Sequence, residues 1–142
     1  FTALSMLLNA HPLVAIAQSA GGTVSKTLAA PTEAGTADTF TVVLDAQPAT
    51  SVTFSVTNSA PTQLTVSPLY LTFTNANWDT AQTVTVTGVN DAAGDGNQTP
   101  AVTLAIVDAS SDDCFDPAAD TIVSVRVSDD DSAGLTVVET GG

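Results

Sequence analysis

From residue 38 onward the chain alternates apolar and polar side chains with period two, and that period dictates strands. Phe40, Val42 and Leu44 face one way, with Thr39, Thr41 and Val43 opposite. Ser51 to Thr57 reads Ser-Val-Thr-Phe-Ser-Val-Thr, the pattern of a half-buried strand. Leu69, Leu71 and Phe73 alternate with Tyr70, Thr72 and Thr74, and Thr83 to Thr87 reads Thr-Val-Thr-Val-Thr. Val102, Leu104 and Ile106 form another face, as do Val123, Val125 and Val127. Turn residues separate the runs: Gln47-Pro48, Asn58 to Pro61, Asn75 to Asn77, Gly94 to Gly96 and Asp116-Pro117. Taking strands near 38–45, 51–57, 69–73, 82–89, 100–108 and 120–128, the spacing predicts an all-β sandwich of about seven strands. Trp78 falls in a connection, where its ring is expected to plug one end of the core rather than stack on a ligand.

The chain is 142 residues long, which suits one domain of roughly 100–150 residues. A hydrophobic fraction of 44% and a mean hydropathy of +0.28 provide for a buried core and exclude disorder. Three segments are expected. Residues 1–17 are densely apolar, carry no charge and end in Ala15-Ile16-Ala17, like the apolar region and cleavage site of a secretory signal. The alternative is an apolar segment that packs on the domain or serves in assembly. Pro12 and the short length argue against a transmembrane helix. Residues 18–132 form the sandwich. Residues 133–142 then begin again: Ala133-Gly134-Leu135-Thr136-Val137 matches Ala20-Gly21-Gly22-Thr23-Val24 at four of five positions, 113 residues earlier. A domain-sized period predicts tandem modules.

Charge narrows the function. Fifteen acidic residues stand against two basic ones, a formal charge of −13. Lys26 and Arg126 cannot replace a counterion atmosphere, so a nucleic-acid partner is excluded, and docking on an anionic membrane fails for the same reason. The single cysteine, Cys114, lies among Asp112, Asp113 and Asp116, where negative charge disfavours the thiolate; a plain loop thiol is expected. No Ser/His/Asp arrangement is credible with His11 in the apolar leader, and nothing sets one carboxylate apart as a glycosidase acid, so no enzyme is expected. The sequon Asn97-Gln98-Thr99 is read as chance, and carbohydrate binding through Trp78 and Tyr70 as a minor alternative.

Antiparallel strands send successive loops to opposite ends of a sandwich. One end then collects Glu33, Asp38, Asp91, Asp95, Asp129, Asp130 and Asp131; the other collects Asp45, Asp79, Asp108, Asp112, Asp113, Asp116 and Asp120. The first end is the more concentrated, with three successive aspartates beside a Gly-rich loop, and no Lys or Arg is expected there. Like charges packed together need a positive partner. Short aspartates on loops suit Ca²⁺, which takes six to eight oxygens, better than Zn²⁺, which takes nitrogen and sulfur. Solvated turn-forming aspartates are the alternative.

Residues 32–131 resemble a Calx-beta domain of the kind repeated in large bacterial surface proteins. The likeness is carried in order by Thr32-Glu33-Ala34-Gly35, Asp38 to Leu44 with Gln47-Pro48, Val66-Ser67-Pro68, Leu71 to Thr74, Asn77-Trp78, Gln82 to Asp91 and Asp129-Asp130-Asp131. The resemblance implies a seven-stranded immunoglobulin-like Greek-key sandwich that binds Ca²⁺ at the module end, often at a junction between modules. Carried over, the ligands are Glu33, Asp91, Asp129, Asp130 and Asp131, with Asp95 a looser match. Ala92 and Ala93 interrupt a loop that is more acidic in the family, which implies fewer ions or weaker affinity. The expected function is a secreted, Ca²⁺-stiffened spacer or adhesion module in a tandem-repeat surface protein. Its expected partners are neighbouring modules or copies of itself, or a surface or carbohydrate receptor. A filament subunit that donates the strand-like segment Gly134 to Thr140 to a neighbour is the alternative.

Overall fold

A computed structural model of the chain describes residues 20–132 and residue 141. The expected apolar leader at 1–17, with His11, and nearly all of the segment 133–142 read as a repeat start lie outside the described residues.

Nine strands are seen among the described residues: β1 Gly22–Val24, β2 Leu28–Ala29, β3 Ala37–Leu44, β4 Val52–Asn58, β5 Leu64–Ser67, β6 Tyr70–Phe73, β7 Gln82–Gly88, β8 Ala101–Ile106 and β9 Thr121–Val125. They form two sheets, β1-β3-β7-β5 and β2-β9-β8-β4-β6, packed as an all-β, immunoglobulin-like sandwich. The count reconciles with seven chain passes. β1 and β2 are one pass that crosses from the first sheet to the second, and β5 and β6 are another. The 58–68 stretch, expected as a loop, holds β5, which pairs Leu64 with Gly88 and Val66 with Val86. Pro68, which has no N–H to give a ladder, lies where the pass changes sheet. The inward phase changes with it, from Leu64 and Val66 to Leu71 and Phe73.

The alternation predicted from sequence is the burial pattern found in the long strands, but Leu69, expected on the face of Leu71 and Phe73, is exposed because it precedes β6 at the change of sheet. Phe40, Val42, Leu44, Val52, Phe54, Val56, Val84, Val86, Val102 and Leu104 are buried, with the threonines between them turned outward or half-buried. The rings of Phe54 and Phe73 meet edge to face at 6.1 Å between centroids. Trp78 is half-buried against the core, as its plugging role requires. Loops 30–36, 59–63, 89–100 and 126–132 gather at one end of the sandwich, and loops 45–51, 74–81 and 107–120 at the other.

Candidate metal centre

Two inward-facing rows lead into the first end. One runs from β2 as Ala29, Pro31 and Glu33, all buried; the other runs from β9 as Val123, Val125 and Val127, also buried, beyond which the chain carries half-buried Asp129 and exposed Asp131. The two rows lie side by side because β2 pairs in parallel with β9 and the pairing continues as a bridge between Thr32 and Ser128. Glu33 N–H donates to the Ser128 carbonyl at 3.0 Å, which sets Glu33 beside Asp129. The turn that carries Glu33 closes by a bond from Gly35 N–H to the Thr32 carbonyl at 3.1 Å, with Gly35 at φ +89°. A side chain at Gly35 would be strained in that left-handed conformation.

Glu33, Asp129 and Asp131 each present a carboxylate oxygen within 4.8 Å of the others. Glu33 is fully buried, and neither of its oxygens has a hydrogen-bond partner. Burial raises its pKa above the usual carboxylate value, and Asp129, Asp91, Asp95 and Asp131 add to the rise by repulsion. Asp131 is raised as well, by desolvation and then by Asp130, Asp129 and Asp91. Among the described residues the one ion pair is Lys26 with Asp38. This pair, together with a bond from Ala30 N–H at 2.9 Å, holds the Asp38 carboxyl below its usual range. Asp38 is therefore neutralised, which corrects the expectation that no basic residue reaches this end. The remaining acids here have no cation beside them.

The six residues singled out from sequence thus divide. Glu33, Asp129 and Asp131 converge. Asp91 and Asp95 lie on the 89–100 loop at the same end, close enough to act on Glu33 electrostatically. Asp130 is exposed and stands outside the converging group. Asp129 is held in place from three sides. Gly96 N–H donates to its Oδ2 at 2.6 Å, Asp131 N–H donates to its Oδ1 at 2.8 Å, and its own N–H donates to Asn97 Oδ1 at 3.1 Å. Asn97 and Gly96 therefore tie the central loop to the aspartates, a role that no sequence signal announces. Gln63 is a further residue that the sequence pattern does not single out. Its Nε2 donates to Asp95 Oδ2 at 3.5 Å, and its Oε1 is buried without a partner. Its position in a turn at the acidic end is the one sequence signal that points to it.

The donor set fits Ca²⁺. It is all oxygen, with no nitrogen or sulfur among the converging atoms. Opposed ligands about 4.6–5.2 Å apart would span an ion with bonds of about 2.3–2.6 Å.

The other acidic end is differently built. Asp112 is largely buried but satisfied: it accepts from Ala49 N–H at 2.7 Å, Thr50 N–H at 3.1 Å and Cys114 N–H at 3.0 Å. These bonds, that from Cys114 foremost, lower its pKa. The Cys114 thiol is exposed and raised by Asp112, as expected for a loop thiol.

Solved structures share this architecture. The E. coli chaperone DraB aligns with TM-score 0.55 at 9% identity over 80% of this chain and 57% of that one. The periplasmic chaperone SfaE aligns with TM-score 0.57 at 10% identity over 82% of this chain and 59% of that one. The calcium binding domain CBD12 of CALX1.1 aligns with TM-score 0.56 at 19% identity over 80% of this chain and 47% of that one. The likeness is one of fold. This chain spans about half the length of these structures. No protein-family model matches the sequence, and no curated protein does. No helix among the described residues is long and apolar enough to cross a membrane.

Proposed function

We propose that this chain is a Ca²⁺-binding structural module of an extracellular tandem-repeat surface protein, stiffened by the ion at its Glu33 end. The observation that carries the proposal is Glu33 itself: a fully buried carboxylate with both oxygens unpartnered, facing Asp129 and Asp131 with no cation near them. Such a group is costly unless a positive partner completes it. Glu33, Asp129 and Asp131 would form the centre of the site, with Asp91 and Asp95 at its rim and Asp130 contributing charge. Residues 18–132 would be one unit of the array, and 133–142 the start of the next. Support also comes from the fold shared with the calcium binding domain of CALX1.1.

The mechanism is mechanical, with no catalytic step. An ion bound by the folded state and not by the unfolded chain stabilises it by mass action, about 1.4 kcal/mol at ten times the dissociation constant. The same ion draws the β2–β3 turn, the β7–β8 loop and the chain after β9 into one rigid end, restricting the hinge to whatever module follows. Extracellular modules need affinities of only about 10⁻⁴–10⁻³ M.

Thermal unfolding of the chain in millimolar Ca²⁺ and in chelator tests this. A rise in melting temperature of roughly 5 °C is expected with Ca²⁺. An unchanged melting temperature would remove the metal from the function.

A further inference from the structure

Among the described residues, three buried side-chain atoms have no hydrogen-bond partner: both carboxylate oxygens of Glu33 and Oε1 of Gln63. All three are oxygens, and an acceptor buried without a donor has lost its water uncompensated. They also share one end of the sandwich. Gln63 closes the turn between β4 and β5, and its carbonyl accepts from Val89 N–H at 2.9 Å. Its neighbour Leu64 pairs with Gly88, against which the Thr32–Glu33 peptide packs so closely that a Cβ on Gly88 would lie 3.1 Å from Glu33 N. Gln63 is thus brought alongside the Glu33 turn. Its amide nitrogen is directed at Asp95, so the amide oxygen turns to the other side, into the protein.

We propose that Gln63 supplies an uncharged oxygen to the cation held by Glu33, Asp129 and Asp131, a role that rests on the cation reading above. An amide carbonyl is an ordinary Ca²⁺ ligand. It adds an oxygen to the site without adding to the repulsion among the carboxylates, and the ion gives the buried Oε1 the partner it lacks. Through Nε2 the same side chain fixes Asp95, so one residue links the β4–β5 turn, the ion and the β7–β8 loop. Ala92 and Ala93 leave that loop short of side-chain oxygens, and Gln63 makes up part of the deficit from a neighbouring turn. Water is the competing donor.

Eu³⁺ luminescence lifetimes in H₂O and D₂O count the waters bound to an ion in a Ca²⁺ site, and they separate the two donors. In the full chain, Gln63→Leu should hold about one more water than wild type, since the ion keeps its complement of oxygens. Its Ca²⁺ affinity by calorimetry should fall roughly 10-fold. Gln63→Glu keeps an oxygen at the same reach and discards the N–H donor; it should retain the wild-type water count and bind at least as tightly. Circular dichroism in chelator checks that both variants fold, and Gln63→Glu carries the test if the leucine variant does not. Equal water counts and affinities for wild type and Gln63→Leu would overturn the proposal while leaving the Ca²⁺ site intact. A Gln63→Glu chain that loses affinity would also overturn it, leaving Gln63 only the positioning of Asp95. Absence of Ca²⁺ binding by the wild-type chain would instead remove the cation reading itself.

Discussion

Two buried carboxylates of this chain have opposite circumstances, and their contrast is the sharpest guide to what each does. Asp112 accepts three backbone N–H groups and has a lowered pKa; Glu33 accepts none and has a raised one. Asp112 is a structural clamp, and its stabilisation is present above its unfolded value of 3.8 and is lost as pH falls through the lower folded value. Asp112→Asn should lower the melting temperature by about 5 °C. The drop should be equal in Ca²⁺ and in chelator, because the residue sits at the far end. Glu33 works in the other direction. With its folded pKa raised, stability without Ca²⁺ is greatest below the unfolded value of 4.5 and falls as pH rises through the folded pKa. Glu33→Gln should therefore raise the melting temperature in chelator at pH 7, flatten this pH dependence and abolish the response to Ca²⁺. A residue that merely filled space would do none of these things. Melting curves of both chains between pH 5 and 8, with and without Ca²⁺, check all three effects. That Glu33 belongs to the acidic end is legible in the sequence from loop alternation. That it is buried and unpartnered is not, because nothing local marks a glutamate in a Thr-Glu-Ala-Gly turn as facing the core.

Strands carry the site by continuing their own phase past their ends. The β9 row of Val123, Val125 and Val127 leads to half-buried Asp129, and the bond from Asp131 N–H to Asp129 Oδ1 then turns the chain so that exposed Asp131 joins the group and Asp130 does not. That division is not legible in the sequence, because three successive aspartates look alike there and a local turn, not a strand period, separates them. The changes of sheet at β1–β2 and β5–β6 are harder to read. Runs of two to four residues are too short to show a period, and pairing across the sandwich decides where they go. The long strands β3, β4 and β7 are legible within a residue because their alternation coincides with burial on one face. Packing between elements then fixes the Glu33 turn. A Cβ on Gly88 would lie 2.3 Å from the Thr32 carbonyl oxygen, a contact that only a displaced backbone relieves. Gly88→Ala should destabilise the fold by about 1–3 kcal/mol, as overpacking does. It should also weaken Ca²⁺ binding by moving Glu33, although Gly88 contributes no ligand. Calorimetric titration of the variant with Ca²⁺ checks the second effect; unchanged affinity would mean that the turn tolerates the shift.

At the scale of the molecule, the charge of −13 is sorted rather than spread. The outward positions of β3, β5 and β7 are occupied largely by Thr39, Thr41, Thr65, Thr83, Thr85 and Thr87, which keep that face soluble without charge. The acids lie mainly at the two ends, where loops are long enough to carry them. At one end backbone donors satisfy Asp112; at the other Glu33, Asp129 and Asp131 converge without a counter-charge. On the proposed reading an ion completes this end, and the working charge of the protein is then lower than its formula. Titration of the ¹⁵N-labelled chain with Ca²⁺, followed amide by amide in NMR spectra, tests the proposed site most directly. Saturable shifts should gather in residues 30–36, 59–64, 89–98 and 126–131 and leave 107–120 unmoved. Spectra that do not change, or shifts centred on the Asp112 end, would contradict a Ca²⁺ site built on Glu33.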